Sequence, residues 1–412
     1  MASQVQGWEV RGSAELEARY FPEESPFVEW QGNVSGAASL EVLHDWNSGK
    51  DLFAFVPFGR IDQHDSQRTH LDIRELSWIH VGEGWESRVG IRKVFWGVTE
   101  GRHLVDIINQ TDLVDQIDEE EKLGQPMLNL SMFGTWGTFD LYVLPGFRER
   151  TFAGKNGRPR LPIPVDGENA LYESSAADER VDVAARWQFH IEDWQIALSH
   201  FSGTGREPTY LSNISMQEAS ALLATGSFPI GFEPKLIPLY SVIDQTGLEL
   251  QFLHGGWLWK LEAISRSGQG DRFFAADGGF EYTQSGLFGG VLDIGWIIEY
   301  LWESREAMAA SPLEHDWLFG ARFALNDTAS SEMLVGLLYD PHTNERVLNV
   351  ESSRRLSDSI KVALDVRVFM SAGQPPSPED LIRDLIRQKA PMKPLSPYAK
   401  DDLIQLSIAH YF

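Results

Sequence analysis

Apolar and polar residues alternate one for one along many stretches, and this period of two constrains the fold more than any other feature of the chain. From Trp8 to Tyr20 one face reads Trp8, Val10, Gly12, Ala14, Leu16, Ala18 and Tyr20, and the other Glu9, Arg11, Ser13, Glu15, Glu17 and Arg19. A helix repeats every 3.6 residues and cannot segregate them this way; a strand does so because successive side chains leave opposite faces. Ile360–Met370 repeats the pattern, with Ile360, Val362, Leu364, Val366, Val368 and Met370 opposite Lys361, Ala363, Asp365, Arg367 and Phe369. So does the stretch from Val181, with Val181, Val183, Ala185, Trp187 and Phe189 on one face. Alternation alone fits any antiparallel sheet with a dry face and a wet one.

The connections narrow the choice. The pattern predicts strands over 8–21, 34–46, 50–60, 69–81, 85–98, 126–134, 137–146, 179–191, 193–203, 244–254, 256–266, 271–283, 286–303, 313–327, 330–341, 344–354, 356–371 and 400–412. Every second connection is short, as at Asn47–Lys50, Gly82–Gly84, Thr135-Trp136, Glu192-Asp193, Gly255-Gly256 and Arg355-Leu356. The intervening ones include every long loop, 99–125, 147–178, 204–243 and 372–399. Short turns at one end and long loops at the other are the asymmetry of outer-membrane barrels. The expected fold is all-β: one transmembrane antiparallel up-and-down barrel domain over 1–412, with about 18 strands (16 being the other count). Its turns are expected to be periplasmic and its loops extracellular.

Two further features agree. The chain ends Ile404-Gln405-Leu406-Ser407-Ile408-Ala409-His410-Tyr411-Phe412, an alternating strand with a terminal aromatic. This resembles the C-terminal strand that bacterial assembly machinery recognises, with His410 as a departure. Trp46, Trp85, Trp136, Trp194 and Trp257 each lie within a few residues of a proposed short turn, as an interfacial aromatic girdle requires. Inside hydrocarbon an unpaired backbone group is prohibitively costly, so the first strand is expected to pair with the last.

The absence of cysteine removes disulfides, zinc-thiolate sites and thiol catalysis. A net charge of −25 sets nucleic-acid binding aside. The start, Met1-Ala2-Ser3-Gln4, has no basic segment and no apolar core, so the sequence reads as a mature chain whose signal peptide has been removed.

The segment 69–112 carries a resemblance. It contains Asp72-Ile73-Arg74-Glu75-Leu76-Ser77-Trp78, Gly90-Ile91-Arg92-Lys93-Val94-Phe95-Trp96-Gly97 and Asp106-Ile107-Ile108-Asn109-Gln110-Thr111-Asp112. It is similar to a family of uncharacterised Gram-negative outer-membrane barrels, porin-like in build. Those read Asn-Pro-x-Asp where this chain has Asn109-Gln110-Thr111-Asp112, so the loop that follows is expected to differ. Strand number and loop pattern are architecturally similar to the alginate-export porin, a likeness that implies no substrate.

No His-Glu-x-x-His, Gly-x-Ser-x-Gly or phosphate-binding loop occurs, so an enzyme is not expected and no cofactor is implied. The chemistry is expected in the bore, where the polar faces point. Arg11, Arg19, Asp72, Arg74, Glu86, Arg88, Arg92, Arg186, Arg322 and Arg367 are candidate lining residues. Arg74, Arg88 and Arg92 form either a basic ladder that attracts carboxylates or phosphates, or a set of arginines each paired with a nearby acid. The loop 147–178, with Arg158-Pro159-Arg160, is the expected constriction. The acidic run in 99–125 reads as a solvated loop beside lipopolysaccharide; Asp115, Asp118 and Glu119 are a weaker calcium or magnesium candidate. Helices are expected over 216–224 and 378–389, where Leu381, Ile382, Leu385 and Ile386 share a face.

The function read from these features is an outer-membrane channel that passes or exports a polar, anionic solute, small or oligomeric. Its implied partners are membrane lipid, lipopolysaccharide and periplasmic proteins, with no nucleic acid. A soluble or secreted carbohydrate-binding sheet protein and an outer-membrane hydrolase stand beside it as alternatives.

Overall fold

A computed structural model describes residues 7–116, 119–305, 313–387, 389 and 393–412. Eighteen strands form one closed antiparallel sheet. They are β1 Trp8–Tyr20, β2 Gly32–Trp46, β3 Asp51–Asp62, β4 His70–Val81, β5 Trp85–Arg92, β6 Gln125–Gly134, β7 Gly137–Pro145, β8 Val181–Ile191 and β9 Trp194–Thr204. There follow β10 Val242–His254, β11 Trp257–Ser267, β12 Phe273–Gly286, β13 Leu292–Glu303, β14 His315–Leu325, β15 Ser331–Tyr339, β16 Arg346–Arg355, β17 Ile360–Met370 and β18 Leu403–Tyr411. Each strand pairs with its neighbours in sequence, and β1 closes on β18 from Ser13↔Tyr411 to Tyr20↔Ile404. At the seam Gly12 N donates to Phe412 O at 2.8 Å and Phe412 N to Gly12 O at 3.0 Å, so the ladder has no free edge there. No described helix is long and apolar enough to cross a membrane.

All of the expected strands are present, and the sorting of the connections holds. One end carries turns such as 47–50, 82–84, 135–136 and 255–256; the other carries 93–124, 146–180, 205–241 and 371–402. Gly255 takes φ +60 in its two-residue turn, a conformation that costs an L side chain but not glycine. β3 contains a register shift at Val56/Pro57, where proline has no N–H to give the ladder.

The outward face is apolar all round, with Leu16 at 63 %, Ile61 at 73 % and Leu71 at 89 % exposure. At the short-turn end Trp8 stacks on His44, Trp194 on Phe252, and Trp257 packs against Tyr282. Trp85, Trp136, Trp194 and Trp257 are exposed there, while Trp46 is half-buried against His44. Tyr300 packs on Trp317 towards the long-loop end, giving a second aromatic tier.

Two departures from the expected pattern matter for the bore. β5 ends at Arg92, short of the expected residue 98, because Val94 N donates to Asn109 Oδ1 at 2.8 Å and the chain leaves the wall. The inward face of β6–β12 is also apolar towards the long-loop end. Met127, Tyr142, Leu144, Ala184, Phe201, Ile243, Ile264, Phe273 and Ala275 form a buried core there with Trp96, Leu104, Val105, Ile107 and Ile108 of the loop 93–124. A wet lumen favours polar inward residues; this half is dry because the loop covers it.

Above the barrel the other long loops build a cap. Leu171–Tyr172, Thr209–Ser212 and Leu236–Tyr240 form a three-stranded sheet. Helix α1, Met216–Thr225, starts at Ser215, whose hydroxyl accepts from Glu218 N while Glu218 accepts from Ser215 N. Helix α2, Pro378–Ile386, is capped by Ser377. Leu222 of α1 and Ile382 of α2 pack with Ile163 and Leu236 into a second core.

Candidate functional site in the bore

The loop 93–124 crosses the bore, and its sequence supplies an anchor for each side. Asn109 closes the neck: its amide donates to Arg92 O and Leu123 O, each at 2.8 Å, and it is almost fully buried. The apolar residues Trp96 to Ile108 then pack on β6–β12. Five such side chains removed from water contribute about 1.5–3 kcal/mol each, ample to hold a loop against a wall.

On the far wall three inward carboxylates of β11, β12 and β13 accept from the loop backbone. Glu262 accepts from Val98 N at 2.6 Å, Thr99 N at 3.1 Å and Val105 N at 3.1 Å. Glu299 accepts from Glu100 N at 2.9 Å and Gly101 N at 2.7 Å, and Asp277 from Arg102 N at 2.9 Å. These carboxyl oxygens act as acceptors for loop amides that lack partners in the loop itself, and so stand in for its missing secondary structure. The opposite anchor lies on β1–β4. Arg60 meets Asp115 at 2.8 Å and Arg74 meets Asp112 at 2.8 Å; Arg68 and Arg19 join them through Glu17 at 2.9 Å each. Arg19, Arg60, Arg68 and Arg74 are all buried. β2 and β11 stand nine strands apart in a ring of eighteen, so the two anchors face each other across the barrel.

A cavity of about 780 Å³ remains between this loop and β13–β17, under the cap. Its wall side presents Ile297, Leu318, Gly320, Arg322, Leu334, Gly336, Leu338, Val347, Asn349, Glu351, Arg367 and Phe369. Its loop side presents Glu100, Arg102, His103, Asp106, Glu119, Glu120 and Lys122, and its roof includes Arg150, Arg160, Tyr210 and Tyr398. Glu207 is the focus of the roof, 2.8 Å from Arg266 and 3.2 Å from Arg102. Burial pushes its carboxyl up, but Arg266, Arg102 and Arg150 outweigh that and hold it well below the usual carboxylate range. Burial raises Asp106, with Lys122 at 3.3 Å pulling the other way.

The structure separates the candidate lining residues into three groups. Arg322 and Arg367 line the cavity, Arg322 at 2.9 Å from Glu100 and Arg367 donating to Asn349 at 3.0 Å. Arg19 and Arg74 belong to the loop anchor, and Asp72 joins them through Arg74 at 3.4 Å and Arg148 at 2.8 Å. The rest lie apart. Arg88 contacts Glu86, Arg92 donates to Asn129 at 3.4 Å, Arg186 grips Glu249 at 2.9 and 2.7 Å, and Arg11 contacts Glu9 on an exposed stretch of β1. Arg74 and Arg88 thus each meet an acid directly, while the acid nearest Arg92 is Glu75 at 3.9 Å.

The loop 93–124 crosses the bore, and the segment 147–178 helps to roof the cavity above it. The acidic segment expected as a solvated surface loop lies inside the bore, because its apolar residues need a dry partner. The segment 147–178 lies above it: Arg158 is buried, 2.7 Å from Asp401, with its guanidinium over Phe21, and so ties the cap to the start of β18. Arg160 reaches Leu161 O at 3.0 Å and lies over Phe27. Asp115 and Glu119 are spent on arginines, Asp118 lies outside the described residues, and no acidic or histidine group among the described residues is arranged to hold a metal.

Arg60, Arg68 and Glu17 are not among the candidate lining residues that the sequence offers. The bulge at Pro57 shifts the phase of β3, which hides Arg60, and Arg68 sits in a connection with no period to read. Asp112 had a signal, as the last residue of the Asn109-Gln110-Thr111-Asp112 motif; that motif supplies the neck clamp and one anchor.

No protein-family model and no curated protein matches the sequence. Solved structures do match. OccD3 (OpdP) of Pseudomonas aeruginosa aligns with TM-score 0.53 and 8 % identity over 99 % of this chain and 92 % of its own. OpdK of Pseudomonas aeruginosa, solved with vanillate, aligns with TM-score 0.50 and 9 % identity over 98 % of each chain. At such identities the likeness is one of fold, and the fold of this chain is the closed barrel of the outer-membrane porins.

Proposed function

We propose that the chain is an outer-membrane channel for a polar, anionic solute, narrowed by the loop 93–124. The observation that carries this reading is a barrel bore crossed by an anchored loop that leaves a charged cavity to one side. The described lining has eight arginine and lysine side chains against six acidic ones, an excess of two positive charges in a chain of net −25. The protein's negative charge is therefore kept off the proposed path, as anion passage requires. The outward apolar surface suits membrane lipid as partner and disfavours the soluble binding-protein reading.

The test is reconstitution of the full chain in planar bilayers under a KCl gradient. The expected result is stable conductance with anion preference. Arg322→Gln with Arg367→Gln is expected to move the reversal potential towards cation preference, since two positive charges leave the path and Glu100 keeps only Lys260 as a partner. An unmoved reversal potential in the double variant would sink the assignment of these two arginines. Protein that stays soluble without detergent and gives no conductance would sink the channel.

A further inference from the structure

β15 is apolar on both faces over most of its length. Its outward face reads Met333, Val335, Leu337 and Tyr339, yet its inward face is apolar too from Leu334 through Gly336 to Leu338, with Glu332 only at the short-turn end. The register extends this patch sideways. Leu338 pairs with Leu318 on β14 and Val347 on β16, and Gly336 pairs with Gly320. A water-filled lumen gives no reason for such a wall. The apolar wall of β6–β12 has one, since the loop 93–124 covers it. The β14–β16 wall lines the cavity, where Leu318, Leu334 and Leu338 are half-exposed and Val347 is buried.

Charge stands at the edge of the patch. Arg322 is in register with Leu334, and Arg367 is two strands beyond Gly336, through Asn349. The Arg322 side chain is 42 % exposed to the cavity although it contacts Glu100. An apolar floor of leucines and two glycines beside an accessible guanidinium fits a molecule with both characters.

We infer that the solute is an amphipathic anion, a carboxylate with a hydrophobic body that lies on the β14–β16 wall while its head meets Arg322 and Arg367. This rests on the channel reading above and names its solute class.

Current through the reconstituted full-length protein tests it, with octanoate, acetate and octylammonium as probes. Octanoate is expected to produce concentration-dependent blockades at millimolar levels, with acetate and octylammonium at least tenfold weaker. Leu334→Asn with Leu338→Asn is expected to weaken octanoate block by about tenfold or more, the loss of roughly one leucine's worth of apolar contact. Block is read against each variant's own KCl conductance, so that a changed pore width does not register as a changed affinity. Leu338→Gln alone serves if the double variant does not assemble into a heat-modifiable band. A conducting channel that octanoate blocks no better than acetate overturns the inference and leaves the channel standing. Equal block by octylammonium overturns the anionic head, and unchanged octanoate block in the leucine variants overturns the wall. Absence of any KCl conductance overturns the channel reading and this inference with it.

Discussion

Glu207, in the loop between β9 and β10, is the carboxylate on which Arg266, Arg102 and Arg150 converge. Breaking a buried charge cluster by removing one partner is costly because the others stay buried and unmatched. Glu207→Gln is therefore expected to destabilise the folded barrel by about 3 kcal/mol at neutral pH. The readout is the temperature at which the folded band converts on a detergent gel. The pH dependence follows from the direction of the shift. A carboxyl held lower in the folded than in the unfolded chain adds stability above its ordinary value of 4.5, and that stability is lost as pH falls below it towards the folded value. The gap between wild type and Glu207→Gln should thus be widest near neutrality and close as pH drops below 4.5. An equal gap at pH 7 and pH 3 would place the effect in packing instead. At this scale the period of two tells which side of a strand a residue leaves, except where the bulge at Val56/Pro57 shifts the phase of β3. It does not tell which acid meets which arginine, because Glu17, Arg60, Arg68 and Asp115 come from four separate segments.

The loop 93–124 behaves as an element although it has almost no regular hydrogen bonding of its own. Wall carboxylates supply acceptors for its amides, so the pair Glu262→Gln and Glu299→Gln should loosen it without touching its sequence. Single-channel conductance is expected to rise by about twofold with added open-channel noise, as low-stability segments open first. Unchanged conductance would mean that the apolar face of the loop alone fixes its position. The sequence showed the loop's length and its Trp96–Ile108 apolar content, but not its destination. That depended on a dry inner wall assembled from seven strands, which no single stretch displays. The two helices were legible because their signals are local: Ser215 with Glu218, and Ser377 with Pro378. The small sheet in the cap was not, since strands of two to five residues carry no usable alternation.

For the whole molecule the decisive joint is between β1 and β18. A side chain at Gly12 would run into the ring of Phe412, 2.4 Å from its Cζ, and into Leu40. Gly12→Val is expected to displace the terminal aromatic and lower the yield of heat-modifiable barrel severalfold, with Gly12→Ala intermediate. Full assembly of Gly12→Val would show that the last residue is dispensable at the seam. The eighteen-strand count and the closure were readable because loop sorting and strand number are properties of the chain as a whole, robust to errors of a few residues at any boundary.

The loop that joins opposite walls also acts as a tie across a ring. Lateral pressure in a bilayer tends to flatten a wide hoop whose staves slide easily. A member fastened by carboxylates at one side and by guanidiniums at the other resists that flattening in tension, and it sets the pore off centre. The passage can then be reshaped by editing thirty-odd residues of the tie, while the hoop that must be inserted and closed in the membrane stays the same.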